Sequence, residues 1–530
     1  MPQVSIIGAG IAGLAAALRL VQRGFDVSLL EQNSFLGGKL GAHQRDKGDD
    51  FHEHSYHMYL NWYHNFWNIV DEAGVRGAFF PQPVTAYLPP MNNGKPARLI
   101  ETTDVGAVGT TLQNMFSGLR CPPDMYIYSY SLLDLIATPA WRHERLQDTS
   151  VLAFMNSRAY MTDQAMSIQQ DMLAKAFASP SFLTASSTFR RFLAYGLQCP
   201  SPMMWLLRGN TQEALIGPLE AYIDRTARER GCRFEVLRMH ALTRLEVDGS
   251  GRIIRLHGRE HSDPSRLGAS HELGGGREFV RDVDGNVILA VPPQAVARLV
   301  DEAVYRHAPE LGNVRKLRST PMISMDLYFT RTLPGLPAVI VNLQDSEFDL
   351  SFLDTSQAWG IGGNTVLNVV ASDAQAIAHY DHAMLKELLT DVLSQYIPFE
   401  QADIDHARTY LQTNLREPLF TNEVGSDQLR PHTECGIANL FMAGDFTHNP
   451  IDVVTIEAAV VSGLQAAEAV RRRARVGQPI EIALPSTASE IALLPFKVAG
   501  APYAYAAKAM SVSSRWLWGA FREMFPTLRP

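Results

Sequence analysis

Residues 4–31, VSIIGAGIAGLAAALRLVQRGFDVSLLE, decide the fold. A short β-branched run ends in Gly8-Ala9-Gly10, helix formers follow as far as Gly24, and a second apolar run closes on Glu31. This order reads as strand, tight turn, helix, strand: a βαβ unit. Gly8, Gly10 and Gly13 have the spacing G-x-G-x-x-G, and each glycine has its own task. The first permits the turn, the second lets backbone approach a pyrophosphate, and the third lets the helix pack close with its positive end toward the phosphates. Glu31 stands where an acid accepts hydrogen bonds from an adenosine ribose. The competing reading is a glycine-rich turn with no ligand, and the acid at the expected distance argues against it.

The chain has 530 residues, more than the roughly 250–300 that one hydrophobic core can serve. Two or more domains are expected. With 46% hydrophobic and 19% charged residues and a mean hydropathy near zero, the composition is that of an ordinary globular protein. Net charge is -8, and the short RRRAR run at 471–475 reads as the solvated end of a helix, so no nucleic-acid partner is expected. Cys121, Cys199, Cys232 and Cys435 form no C-x-x-C pair, which fits a reducing, cytoplasmic compartment. No signal peptide and no spanning helix are expected.

Further along, 221–258 reads as a helix and then strands broken at Asp-Gly, and 261–279 as a hairpin tip or insert. VDGNVILAVPP (283–293) reads as a buried strand, 110–215 as mostly helical, and 320–333 as sheet. NLFMAGDFTHNP (439–450) reads as strand and turn, and 453–475 as a long helix. The fold class is α/β: a dinucleotide-binding, Rossmann-like domain built from discontinuous segments, an inserted mixed α+β substrate domain, and a helical C-terminal tail. The expected division gives 1–85, 215–305 and 411–477 to the first domain, 86–214 and 306–410 to the second, and 478–530 to the tail.

FAD and NAD share the glycine fingerprint, so a second feature must choose. EQNSFLGGKLGAH follows directly, and its Gly37 and Gly38 bring another backbone segment to a diphosphate, where Lys39 adds a cation. In FMAGDFT, Asp445 suits a ribityl and diphosphate region. Taken singly, Lys39 also reads as a surface lysine and Asp445 as a helix N-cap.

Together these stretches resemble the two-dinucleotide-domain flavoproteins, the group of flavin amine oxidases and carotenoid desaturases, with closest similarity to the plant and cyanobacterial phytoene and zeta-carotene desaturases. The resemblance runs over most of 1–475 and is most specific in NLFMAGDFTHNPIDVVTIEAAVVSGLQAA, where Glu457, Ala459, Ser462 and Gly463 match. It implies FAD. It also implies cofactor contacts at Gly8, Gly10, Ile11, Ala12, Gly13, Glu31, Gln32, Gly37, Gly38, Lys39, Leu242, Gly444, Asp445, Thr455 and Ile456. One extra residue between Asp445 and Thr455 departs from the family spacing.

FHEHSYHMYLNWYH (51–64) crowds His52, His54, His57 and His64 beside Glu53. On a strand His52 and His54 share one face while Glu53, Ser55 and His57 share the other, so four ligands do not converge. H-x-H with a third histidine still suits zinc or iron, yet no companion cluster exists and no metal is expected. The resemblance gives another role: Glu53, His57, Tyr63 and Asn65 match a desaturase run in which His57, Met58 and Tyr63 lie against FAD. Ser55 and Asn61 replace two glycines of that run. His57 is the one candidate catalytic residue, with a hydrogen-bonded core histidine as the plain alternative. His52, His54 and His64 read as surface or interdomain residues.

Removing hydrogen from a saturated carbon pair asks for a dry channel more than for side-chain chemistry. DMYIYSYSLL, MMWLL and MISMDLYF are candidates for an apolar tunnel or for ordinary core. Where the family run G-N-x-x-E-R-L carries an arginine, this chain has Ala214, with Arg208 nearby, so phytoene is not implied as the substrate. The expected activity is an FAD-dependent desaturase or dehydrogenase acting on a lipophilic, isoprenoid or carotenoid-like substrate, with a quinone or oxygen as acceptor. A flavin amine or amino-acid oxidase and an inert flavin-binding partner are the rivals.

In the tail, Lys508, Arg515 and Arg522 share a helical face with spacing of seven, Met510, Leu517, Phe521 and Met524 form an apolar stripe, and Trp516 and Trp518 flank it. Such a helix lies in a membrane interface, or packs on its own chain or a second subunit, through 500–526.

Overall fold

In the computed structural model the opening βαβ unit is a strand Gln3–Ile7, a helix Ile11–Val21 and a strand Asp26–Leu30. The structure describes residues 1–44, 50–103, 113–139, 143–198, 201–261, 276–415, 417–487 and 489–524. Most of the hairpin insert expected at 261–279, and Cys199, lie outside them.

The first two strands occupy the middle of a five-stranded parallel sheet in the order 234–237, 26–30, 3–7, 286–289 and 440–442. Continuous apolar runs such as Val287-Ile288-Leu289 suit strands covered on both faces. The helix Ile456–Ala474 packs across Ile11–Val21, and a Cβ at Gly463 would stand 2.1 Å from the Ala12 carbonyl oxygen. A three-stranded antiparallel sheet, 240–247, 253–260 and 277–282, flanks this layer.

A second, seven-stranded sheet has the order 410–413, 323–328, 366–371, 350–354, 341–343, 84–88 and 100–103. The expected boundaries at 85 and 410 fall inside its strands Val84–Leu88 and Tyr410–Thr413. Period-two alternation divides it: Ile323, Met325 and Leu327 face a core shared with the helix His382–Ser394, while Ser324 and Asp326 face the opposite way. Over that second side lie helices Pro122–Ile136, Asp163–Phe177 and Ser186–Leu197.

The histidine stretch joins the two sheets, and here the sequence expectation is corrected. Strand pairing covers His52–Glu53 and resumes only at Tyr59–Leu60, so alternation does not carry on to His57. His52 is buried, with Nδ1 2.7 Å from Asp326 Oδ2, and Asp326 Oδ1 accepts from Asn368 Nδ2 at 2.7 Å. The Tyr56 N–H donates to Asn368 Oδ1 and the Tyr56 hydroxyl to Ser351. These polar groups share a buried face because each satisfies another. His64 is exposed at the start of the helix His64–Ala73.

The C-terminal helix Glu490–Met524 lies along Pro122–Ile136. Tyr126 and Tyr130 donate to the Gly500 and Lys497 carbonyls, Lys497 Nζ meets Asp134 at 2.7 Å, and Ser511 bonds the buried Asp124. The inward face carries Ala504, Ala507 and Ser511, whereas Met510, expected in the apolar stripe, is 63% exposed. Lys508 donates to the Ala159 carbonyl at 2.8 Å, and the side chains of the remaining stripe residues, of Arg515 and Arg522 and of both tryptophans lie outside the described ones. Among the described residues no helix is long and apolar enough to cross a membrane.

Candidate cofactor and substrate site

A cavity of about 1200 Å³ runs from the carboxyl ends of the parallel strands to the seven-stranded sheet. That exceeds the roughly 300–1,000 Å³ of a single small-ligand site, leaving room for a dinucleotide and a second molecule. Its first part is made largely of backbone. Gly8 has φ +96° and a Cβ there would meet the Ala290 carbonyl oxygen at 2.4 Å; at Gly13 a Cβ would meet the Gly8 carbonyl oxygen at 2.0 Å. Both glycines are demanded by protein packing. Gly10 differs: the nearest protein atom to a Cβ there is 3.9 Å away, so the missing side chain leaves a cradle that a ligand fills.

Gly37 closes on this turn, its N–H donating to the Ala9 carbonyl at 2.8 Å, and Gly38 approaches Gly10 so closely that a Cβ would stand 3.1 Å from its Cα. Two helix N-termini reach the wall, Ile11-Ala12 of one helix and Thr455-Ile456 of another, and both present free N–H groups and positive dipole ends. Thr455 caps its helix through Ala458 N–H, so Asp445 is not the N-cap of that helix; no hydrogen-bond partner for Asp445 is found among the described residues. Gly444, with φ +135°, donates its N–H to Ser462 Oγ at 2.8 Å.

Glu31 accepts from Ala9 N–H at 2.8 Å and from Asn33 N–H at 2.9 Å, and burial pushes its carboxyl up to about 7 despite those donors. Each oxygen keeps a second lone pair beside the cavity. Gln32 donates to Glu417, and Lys39 Nζ to the Pro418 carbonyl at 3.2 Å, which leaves the ammonium two further protons. Leu242 and Met58 complete this part of the wall, and the Tyr63 hydroxyl bonds Thr455. Of the residues expected to touch a cofactor, Gly13 alone is off the wall, for the packing reason given above.

His57 Nε2 lies 3.1 Å from the Lys39 carbonyl oxygen, to which it can only donate, and its Nδ1 is 3.6 Å from Glu53, too far for a hydrogen bond. Glu53 accepts from Thr211 N–H at 2.7 Å. His54, expected among surface or interdomain residues, instead lines the cavity with its ring edge-on to His57 at 5.1 Å, and burial holds its imidazole well below the usual range. Val291, Pro292 and Arg298 also line the wall; the signal for the first two was the VILAVPP strand end, since ligands sit beyond the carboxyl ends of parallel strands.

Glu457 and Asn65, two matched motif residues, meet each other away from the wall. The buried Glu457 accepts from Asn65 N–H at 2.9 Å, Asn65 Nδ2 at 2.6 Å and Phe66 N–H at 3.0 Å, capping the helix that begins at His64, and burial pushes its carboxyl up to about 7.

The second part of the cavity is made of side chains. Met125, Leu132 and Leu133 come from DMYIYSYSLL, Met203 and Met204 from MMWLL, and Met322 alone from MISMDLYF. Neither Ala214 nor Arg208 reaches it; Arg208, which lies nearby in the sequence, is exposed, its guanidinium 5.4 Å from the Phe80 ring. Among the described residues no group of three His, Cys, Asp or Glu side chains is arranged for a metal.

The glycine cradle, the paired helix N-termini and the second compartment define a dinucleotide-binding α/β oxidoreductase. Residues 11–471 match the model of the flavin-containing amine oxidoreductase family, and the chain belongs to that family. It is similar to the zeta-carotene desaturase of Synechocystis sp., 22% identical over 88% of this chain and 97% of the relative, and to the 15-cis-phytoene desaturase of Synechococcus elongatus, 24% identical over 89% and 96%. Among solved structures, a putative protoporphyrinogen oxidase from Exiguobacterium sp. superposes with a TM-score of 0.62 at 17% identity, over 89% of this chain and 99% of the other. Cyclohexylamine oxidase from Brevibacterium oxydans gives 0.58 at 14% identity, over 89% and 99%. The protein is an FAD-dependent oxidoreductase.

Proposed function

We propose that this enzyme is a desaturase or dehydrogenase that takes hydrogen from a long, lipophilic, isoprenoid-type substrate. One observation carries the reading: the cavity continues past the glycine cradle into a compartment walled by methionine, leucine and tyrosine side chains. The names of the zeta-carotene and phytoene desaturase relatives support it. In this reading 1–85, 215–305 and 411–477 hold the cofactor while 86–214 and 306–410 hold the substrate, with Gln82 at the end of the first segment also bordering the substrate compartment.

Gly8, Gly10, Gly37, Gly38 and Lys39 hold the diphosphate, Glu31 the ribose, and Tyr63, Thr455 and Ile456 the flavin end. FAD, when bound, supplies the acceptor for the hydride that leaves the substrate carbon. The chain's own task is to align the C–H bond and exclude water. His57 donates to the Lys39 carbonyl and so fixes the 37–39 loop; it is a positioning residue rather than a proton carrier.

Anaerobic mixing of the purified holoenzyme with defined isoprenoids tests the reading through bleaching of the oxidised flavin. Bleaching by isoprenoids and not by amines is expected. Bleaching by amines alone, with peroxide released in air, would overturn it in favour of an amine oxidase. Reoxidation with a quinone or with oxygen then identifies the acceptor.

A further inference from the structure

The substrate compartment has a polar strip that a pure hydrocarbon would leave unused. Strand register puts Asn342 opposite Tyr87, and both border the cavity. At one end of the strip, Lys175 Nζ donates to the Leu343 carbonyl at 2.7 Å and pairs with Asp171; all three of these residues are largely withdrawn from solvent, and Lys175 and Asp171 both line the wall. An ammonium has three protons and these contacts use two. Across from it the Tyr128 hydroxyl spends its proton on the Met172 sulfur, a weak acceptor.

At the other end, Gln82 is fully buried on the wall. Its Oε1 accepts from Ile340 N–H at 3.2 Å, which fixes the amide orientation, and its Nε2 has no partner. Residues 340 and 343 are three strand steps apart, about 10 Å at roughly 3.3 Å per residue. Two buried donors with spare protons thus border one short stretch of an otherwise apolar compartment. Leaving such donors dry is costly, and an acceptor oxygen relieves the cost.

Resting on the reading of a lipophilic substrate, we propose that this substrate carries one uncharged oxygen function, a hydroxyl or carbonyl, on its apolar body, accepting from the spare proton of Gln82 Nε2 or of Lys175 Nζ. An anionic head group is disfavoured because Asp171, Asp345, Asp349 and Asp373 surround this end against Lys175 and Arg120. A cationic one gains little: Asp171 is engaged by Lys175 and Asp345 by Arg120, while Asp349 and Asp373 do not reach the wall.

The test is anaerobic titration of the holoenzyme, read by perturbation of the flavin absorbance, with geranylgeraniol, its parent hydrocarbon, the matching acid and the matching amine. The alcohol is expected to bind about tenfold more tightly than the hydrocarbon, the worth of one buried hydrogen bond. One of two variants should bring that ratio toward one: Gln82→Leu where the oxygen sits on Gln82, or the double change Lys175→Met with Asp171→Leu where it sits on Lys175, a change that removes both charges together and leaves none buried alone. Equal binding of alcohol and hydrocarbon, tightest binding of the acid or the amine, or an unchanged ratio in both folded variants would overturn the proposal. If neither the alcohol nor the hydrocarbon perturbs the flavin, the lipophilic reading itself fails, a result distinct from equal binding.

Discussion

The two compartments of the cavity are built in different ways. The cofactor compartment is shaped mainly by backbone: glycines, two helix N-termini and a few carbonyls form it, with a few side chains such as Glu31, Lys39 and Tyr63 on its wall. The substrate compartment is side chain, supplied by sheet strands and by helices that include Glu490–Met524 through Leu493 and Phe496. A site made of backbone tolerates almost no added atom, whereas a site made of side chains can be retuned one residue at a time.

The sharpest break is Gly13→Ala, because the new methyl would stand 2.0 Å from a backbone oxygen that cannot move. A loss of about 4 kcal/mol is expected, measured by denaturant unfolding of FAD-free protein. Next comes Glu457→Ala, which strands two backbone N–H groups and one proton of the Asn65 amide; about 3 kcal/mol is expected by the same measurement.

Gly10→Val should separate cofactor binding from folding, since the side chain enters the ligand cradle and no protein atom is close. FAD affinity is expected to fall about a hundredfold, about 2.8 kcal/mol, in flavin fluorescence titration, while the melting temperature of FAD-free protein stays put. Equal melting losses for Gly10→Val and Gly13→Ala would erase the distinction between the two glycines.

The buried acids give a smaller, pH-dependent effect. Glu31 and Glu457 are both pushed up from 4.5 to about 7, so folding favours their neutral forms. Their stabilisation is therefore complete below pH 4.5 and is lost as pH rises through about 7, on the order of 2 kcal/mol each. Thermal melts of FAD-free protein across that window check the sign, and Glu457→Gln should flatten the slope. The smallest effect belongs to Met510→Ser on the exposed face of the tail, within about 0.5 kcal/mol. Liposome flotation of the same variant asks whether that face meets lipid.

Legibility follows the same division. Gly8, Gly10, Gly13 and Glu31 were readable because a turn and the strand after it impose their demands within about two dozen residues. The histidine stretch was misread where strand alternation was carried past Glu53: pairing stops there, and the chain then bends to bring His54 and His57 together at the wall. Tyr87, Asp171, Lys175 and Gln82 gave no signal, since each looks like an ordinary residue of its own element. The apolar segments were readable as a choice between tunnel and core, and only packing divided MISMDLYF into one wall residue, Met322, and a buried strand.

By itself the sequence determined the βαβ unit and the dinucleotide it serves, because glycine sterics and hydrophobic period act over short stretches of chain. Only the tertiary structure decided which side chains meet in the substrate compartment, that Glu457 caps the helix after Tyr63, and which face of the tail turns inward. Those outcomes depend on elements separated by up to several hundred residues, whose relative placement is set by packing and by the pairing of buried polar groups.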